Sequence, residues 1–230
     1  SHLDGRWEEE ELPWDYGAIA RGLLKPGHEL LDMETGGGEF LLTLRHPYEK
    51  TAVTESYPPN VELCENELKP LGVTVAACEP EREPLPFADA RFDIILNRHG
   101  SYDAAELFRA LKPGGAFVTQ QVGGRNNTLL SGRLLPDFAP AYPGHDLARE
   151  SAKFERLGFE ILEKKEYFPK LRFFDVGALV YFARVVEWEF PGFSVDACRA
   201  ELFALQREIE ERGAVESLGH RFLILARKPR

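Results

Sequence analysis

A chain of 230 residues, 43% apolar and 29% charged, is an ordinary globular mixture, long enough to bury one sizeable α/β core. With 38 acidic against 28 basic residues its formal net charge is −10, which repels polyphosphate and disfavours nucleic acid as a partner. Cys64, Cys78, Cys198 and six scattered histidines form no Cys-x-x-Cys or His-x-x-x-His spacing, so neither a disulfide framework nor a metal site is expected.

Ser1-His2 read as a remnant of tag cleavage. The pattern over Tyr16–Leu24 predicts a short helix, closed by Lys25-Pro26-Gly27. Glu29–Met33 predicts the first buried strand and Gly38–Arg45 a helix stopped by Pro47. Lys50–Glu55, β-branched at Thr51, Val53 and Thr54, predicts the second strand. Pro58-Pro59 open a helix to about Leu71, and Gly72 ends it. Val73–Cys78 and Phe92–Asn97 predict the third and fourth strands, Ala104–Leu111 a helix and Ala116–Val122 the fifth strand. This alternation implies a parallel sheet with helices on both faces. Gly123–Gly144, rich in Gly, Asn and Pro, is expected to be an irregular, mobile loop. A helix from Leu147 to Leu157, a strand Phe159–Glu166, helical segments near Asp175–Glu189 and Ser194–Arg212, and a last strand Arg221–Arg227 complete the chain. One domain over residues 1–230 is expected, with a helical insertion at about 170–213.

The most informative stretch is Leu30-Leu31-Asp32-Met33-Glu34-Thr35-Gly36-Gly37-Gly38. A buried strand ends in an acid, turns through glycines and enters a helix, the place where open α/β sheets bind nucleotide-like ligands. Glu55 ends the second strand, 19 residues after Gly36, where an acid can accept both hydroxyls of a ribose. Leu85-Pro86-Phe87, then Phe92-Asp93, then Leu111-Lys112-Pro113-Gly114-Gly115 follow in order.

Taken in this order, over roughly Leu30–Val122, the residues resemble the class I S-adenosylmethionine-dependent methyltransferases, most closely the small-molecule bacterial type (type 11-like). The resemblance implies a Rossmann-like, doubly wound, seven-stranded and mostly parallel α/β sheet with one antiparallel strand. It also implies S-adenosylmethionine as cofactor. Asp32 would meet the cofactor's ammonium, and Thr35, Gly36 and Gly38 its carboxylate. Glu55 would take the ribose, with Ser56 and Tyr57 flanking the adenine slot and Glu79 or Glu81 meeting its amino group. Asn97 and Arg98 would contact the amino-acid tail or the sulfonium. The departure is Glu34, which stands where the family places the first loop glycine. Alternation along the strand end favours a side chain turned off the site, with contact to the cofactor's amino group as the other reading.

His99 is the candidate general base, because imidazole titrates near neutrality; a hydrogen-bonded structural role is the competing reading. Asp103 reads better as a helix N-cap than as a catalytic acid. Gln120, Gln121, Asn126 and Asn127 suit either acceptor recognition or loop structure. The aromatic stretch from Phe173 to Phe193, with Trp7, Trp14 and Tyr16, reads as core packing or as a cap over a small acceptor. Arg172 and Arg184 read first as surface ion pairs. A dinucleotide pattern counted from Gly36 would need glycine at Leu41, which leaves a nicotinamide oxidoreductase as the runner-up and a catalytically silent binding protein as the third reading. No apolar run reaches the roughly 18 residues of a membrane span and no signal peptide opens the chain, so a cytoplasmic protein without membrane association is expected.

Overall fold

The computed structural model describes residues 3–230; Ser1 and His2 lie outside the described residues. In chain order the elements are β1 (Trp7–Glu9), α1 (Tyr16–Leu23), β2 (Leu30–Met33), α2 (Glu39–Thr43), β3 (Thr51–Glu55), α3 (Pro58–Glu67), β4 (Thr74–Ala77), β5 (Phe92–Arg98), α4 (Ala104–Ala110) and β6 (Leu111–Val122). Then follow α5 (Thr128–Leu134), α6 (Leu147–Arg156), β7 (Glu160–Tyr167), β8 (Lys170–Phe173), α7 (Val176–Val185), α8 (Arg199–Arg212), β9 (Val215–Leu218) and β10 (Arg221–Arg227). The chain passes back and forth between two compact units.

The larger unit takes Trp14–Gln121, Leu147–Lys165 and Phe222–Arg230. Its seven-stranded sheet has the order β4-β3-β2-β5-β6-β10-β7, mostly parallel with one antiparallel strand. β2 and β3 are buried along their whole length, as strands covered on both faces are. Strand order reverses at β2, which pairs with β3 on one side and β5 on the other. Met33 lies level with Thr54 and with Asn97. The next residues, Glu34, Glu55 and Arg98, therefore leave the sheet at one height, at the switch point where such sheets bind ligands. Below them Phe92, Phe117, Phe154, Phe159 and Phe222 form a fully closed aromatic core.

The smaller unit takes the stretch up to Pro13, Val122–Asp146 and Glu166–Arg221. It holds an antiparallel sheet, β1-β8-β9, that the sequence reading did not anticipate. Phe173 belongs to β8, not to the aromatic helix. α7 starts only after Asp175, whose side chain accepts the Ala178 N–H at 2.8 Å. Phe173, Leu179, Phe190, Leu202, Leu205 and Val215 fill its core. The expected loop over 123–144 contains α5, whose Leu130 and Leu134 are buried. α2 has five residues rather than the eight expected. α8 begins five residues later than expected, at Arg199. Among the described residues no helix is long and apolar enough to cross a membrane.

Candidate functional site

The loop leaving β2 is held from within. Gly36 and Gly38 sit at φ +65° and +83°, which glycine reaches without penalty. The Gly36 N–H donates to Glu55 Oε2 at 2.8 Å, and the N–H groups of Ser56 and Tyr57 donate to Glu55 Oε1 at 3.0 Å each. The Thr35 hydroxyl donates to Asp32 Oδ2 at 2.6 Å, and the Gly38 N–H to the Thr35 carbonyl at 3.2 Å. The groups expected to greet a carboxylate therefore already brace one another. The buried Cys64 thiol adds a contact to the Gly36 carbonyl at 3.1 Å.

Glu34 departs from expectation. It takes φ +54°, a left-handed conformation that costs a non-glycine residue roughly 1 kcal/mol or more. Its side chain does not turn away: Oε2 accepts the Ser56 hydroxyl at 2.7 Å. Three carboxyls thus share this strand end. Asp32 and Glu55 are 4% and 3% exposed, and Glu34 is half-buried. Burial pushes the Asp32 carboxyl up to about 6, although the Thr35 hydroxyl bond and Arg98 oppose it. Burial likewise pushes Glu34 up to about 7, and the neighbouring Glu55 adds to the rise. Such a site favours a cationic ligand and repels a pyrophosphate. With Leu41 in place of a third glycine, this counts against a dinucleotide.

A pocket of about 300 Å³ opens beside this loop, lined by Ser56, Tyr57, Pro58, Glu79, Pro80, Glu81, Arg82 and Ser101. Both acids expected near an adenine are present. Glu79 is tied to Arg82 at 2.7 Å, which leaves Glu81 the less committed carboxylate.

At the ends of β5 and β6, Asn97 is fully buried. Its Oδ1 accepts the Thr119 hydroxyl at 3.0 Å and the Gln121 amide at 2.7 Å. Arg98 is exposed, with its guanidinium 4.7 Å over the Phe40 ring. His99 is exposed and left-handed at φ +65°. The indole N–H of buried Trp14 donates to Gln120 Oε1 at 2.8 Å. Because indole is only a donor, this fixes the Gln120 amide, whose Nε2 then donates to His99 Nε2 at 3.2 Å. The network assigns the His99 ring proton to Nδ1. Trp14 is thus a support for the β5–β6 rim rather than part of an acceptor cap. Tyr16, also buried, bonds the Asn97 carbonyl at 3.1 Å. Asp103 caps α4, accepting the Ala105 N–H at 2.7 Å. The sequence reading missed Phe40 and Thr119; only their place beside a strand end or the glycine loop would have marked them.

In the smaller unit Asn126 and Asn127 both donate to Glu189, at 2.5 and 2.7 Å. Asn126 Oδ1 also accepts the His220 N–H at 2.7 Å, so these residues serve the fold of that unit. Arg172 pairs with Glu8 at 2.7 Å. Among the described residues no group of three or more His, Cys, Asp or Glu side chains is placed to hold a metal ion.

A family model described as a methyltransferase domain matches residues 31–119. The chain is similar to the demethylmenaquinone methyltransferase of Thermus thermophilus, 31% identical over 117 residues, covering 47% of this chain and 53% of that protein. It spans about half the length of the relatives it matches by sequence. Among solved structures, the YcgJ protein of Bacillus subtilis aligns over 93% of this chain and 97% of its own, with a TM-score of 0.60 and 17% identity. A Haemonchus contortus phosphoethanolamine N-methyltransferase 2, solved with S-adenosyl-L-methionine, aligns over 94% of this chain and 53% of its own, at 0.54 and 18% identity. At these identities the structural likeness speaks for the fold. Together with the strand order and the glycine loop, the match over 31–119 makes this chain similar to methyltransferase domains over that segment.

Proposed function

We propose that this protein is a cytoplasmic S-adenosylmethionine-dependent methyltransferase that methylates a small-molecule acceptor. The carrying observation is the carboxyl-rich strand end at the sheet's switch point, beside a loop braced by Glu55. The cofactor carries a sulfonium and an ammonium, and its positive charge suits that surround. Glu55 keeps about one of its four acceptor positions for a ribose hydroxyl, since three are filled by N–H groups. Ser56, Tyr57 and Glu81 would flank the adenine, with Glu79 held back by Arg82. Asp32 would face the ammonium and Arg98 the carboxylate, while Asn97 sets the shape of the β5 rim; Thr35, Gly36 and Gly38 hold the loop in its binding form.

When bound, the cofactor supplies an already activated methyl group, so the protein's task is placement of donor and acceptor. His99 would take a proton from the acceptor where one must leave. To do so through Nε2 it must first release Gln120, so proton transfer is coupled to a side-chain movement. The sequence relatives support a quinone-type acceptor as the first to test. The acidic overall charge supports a small acceptor over nucleic acid. We also read residues 1–230 as one functional domain, to which the smaller unit contributes the helical insertion.

Calorimetry with S-adenosylhomocysteine and with NADH tests this reading. Micromolar binding of the first and none of the second is expected. Binding of NADH alone would overturn it in favour of an oxidoreductase.

A further inference from the structure

Helix α8 keeps one stripe out of the core. Leu202, Leu205 and Ile209 are buried on its inner face. Beside them Arg199, Phe203, Gln206 and Glu210 follow at spacings of four, three and four residues, the recurrence of a helix-pairing seam. With about 3.6 residues per turn, all four lie in one narrow arc that runs about 16 Å along the axis. Phe203 is 61% exposed although its side chain is large and apolar. It stands on the rim of a groove of about 380 Å³ between α7 and α8, walled by Val176, Val180, Val195 and Leu202. A protruding ring and an apolar hollow thus lie side by side on one surface, as a two-fold contact between identical chains requires. The ends of the stripe carry opposite charge, Arg199 at one and Glu210 at the other. Arg199 meets Asp196 at 2.8 Å and Glu210 meets Gln206 at 2.9 Å, exposed contacts that a partner can replace at small cost.

We propose that this stripe is an interaction surface for a second copy of the chain, docked so that α8 packs antiparallel on α8 and Phe203 of each copy enters the groove of the other. The charges decide the direction. A parallel pair would set Arg199 against Arg199 and Glu210 against Glu210. An antiparallel pair with its two-fold axis between Ala204 and Leu205 sets Arg199 against the partner's Glu210 and Phe203 against the partner's Gln206. Symmetry makes each of these contacts twice. Gln206 lines the groove, so the incoming ring arrives at its wall. Glu201 and Glu208 are level with each other in the same register, but they lie on the far side of the helix, where Glu208 pairs with Arg133 of α5. The contact is that of two short helices, which makes the dimer a weak one.

The test is sedimentation equilibrium on the whole chain, alongside melting temperatures, for wild type, Phe203→Glu, Arg199→Glu, Glu210→Arg and the double variant Arg199→Glu with Glu210→Arg. Wild type is expected to dimerise with a Kd of about 1–100 μM. Phe203→Glu and each single charge reversal are expected to weaken the dimer at least tenfold. The double variant restores opposite charges across the axis and is expected to return to within about threefold of wild type. An equimolar mixture of the two single reversals is expected to associate at least tenfold more tightly than either alone. Both reversals suit the helix dipole, so the monomer is expected to melt no lower than wild type. A wild type that stays monomeric at about 1 mM would overturn the proposal, as would a dimer indifferent to Phe203→Glu or a double variant no tighter than the single ones. A monomeric wild type that binds dodecanoate in calorimetry, and loses it in Phe203→Glu, would overturn it in favour of a small amphiphile in the groove.

Discussion

The carboxylate of Glu55 accepts the backbone N–H of Gly36 at 2.8 Å, so the end of one parallel strand holds the loop that leaves its neighbour. That bond joins β3 to the turn after β2, and two more from the Ser56 and Tyr57 N–H groups fasten the same carboxylate to its own strand exit. Hydrogen bonds to a buried carboxylate thus shape the site.

Removing that acceptor strands three N–H groups. Glu55→Ala is expected to lower stability by roughly 3 kcal/mol, read from urea midpoints, and Glu55→Gln by less because one oxygen remains. An unchanged midpoint in Glu55→Ala would show that the carboxylate does not organise the loop.

Gly100 and Glu34 share one volume. Gly100→Ala is expected to cost about 1–3 kcal/mol by overpacking. In a Glu34→Gly background the same change should cost less than about 0.5 kcal/mol. Additive effects in this double-mutant cycle would mean that the two positions do not compete for space.

Trp14 sets the orientation of Gln120, and through it the tautomer of His99. Trp14→Phe removes the indole donor and should cost about 1 kcal/mol. Nitrogen-15 NMR of the His99 ring should then show a shift from the Nδ1–H form toward a tautomer mixture. An unaltered Nδ1–H signal would place control of the ring elsewhere.

The acids give a pH signature. Burial holds the Asp32 carboxyl up to about 6 and that of Glu34 up to about 7, whereas both ionise near 4 in an unfolded chain. Between about pH 4 and 7 the folded protein keeps protons that the unfolded chain has released, so their contribution to stability declines as pH rises. Above about pH 7 that decline is complete. Glu34→Gln lacks its share, so its melting temperature should match wild type near pH 4 and exceed it by pH 8. A difference independent of pH would contradict the assignment.

The sheet and the loop were legible because they depend on local patterns: buried runs, proline and glycine stops, and the spacing from Gly36 to Glu55. The pairs that tune the site were not. Trp14 meets Gln120 across 106 positions of chain, and Gly100 carries no mark that its missing side chain makes room for Glu34. β1, β8 and β9 are three or four residues long with charged outward positions, too short for alternation to stand out. α5 was hidden because its segment begins with turn residues; it folds because Leu130 and Leu134, four apart, are both buried.

β10 lies between β6 and β7 in the sheet although it follows both in the chain. During synthesis β7 therefore emerges well before its sheet partner exists, and waits as a free edge while β8, α7, α8 and β9 are made. Its sequence suits the wait: Glu160, Glu163, Lys164, Lys165 and Glu166 place charge along a strand that would otherwise recruit other chains. The sheet cannot close until β10 is in place, and the charges along β7 disfavour its pairing with other chains until then.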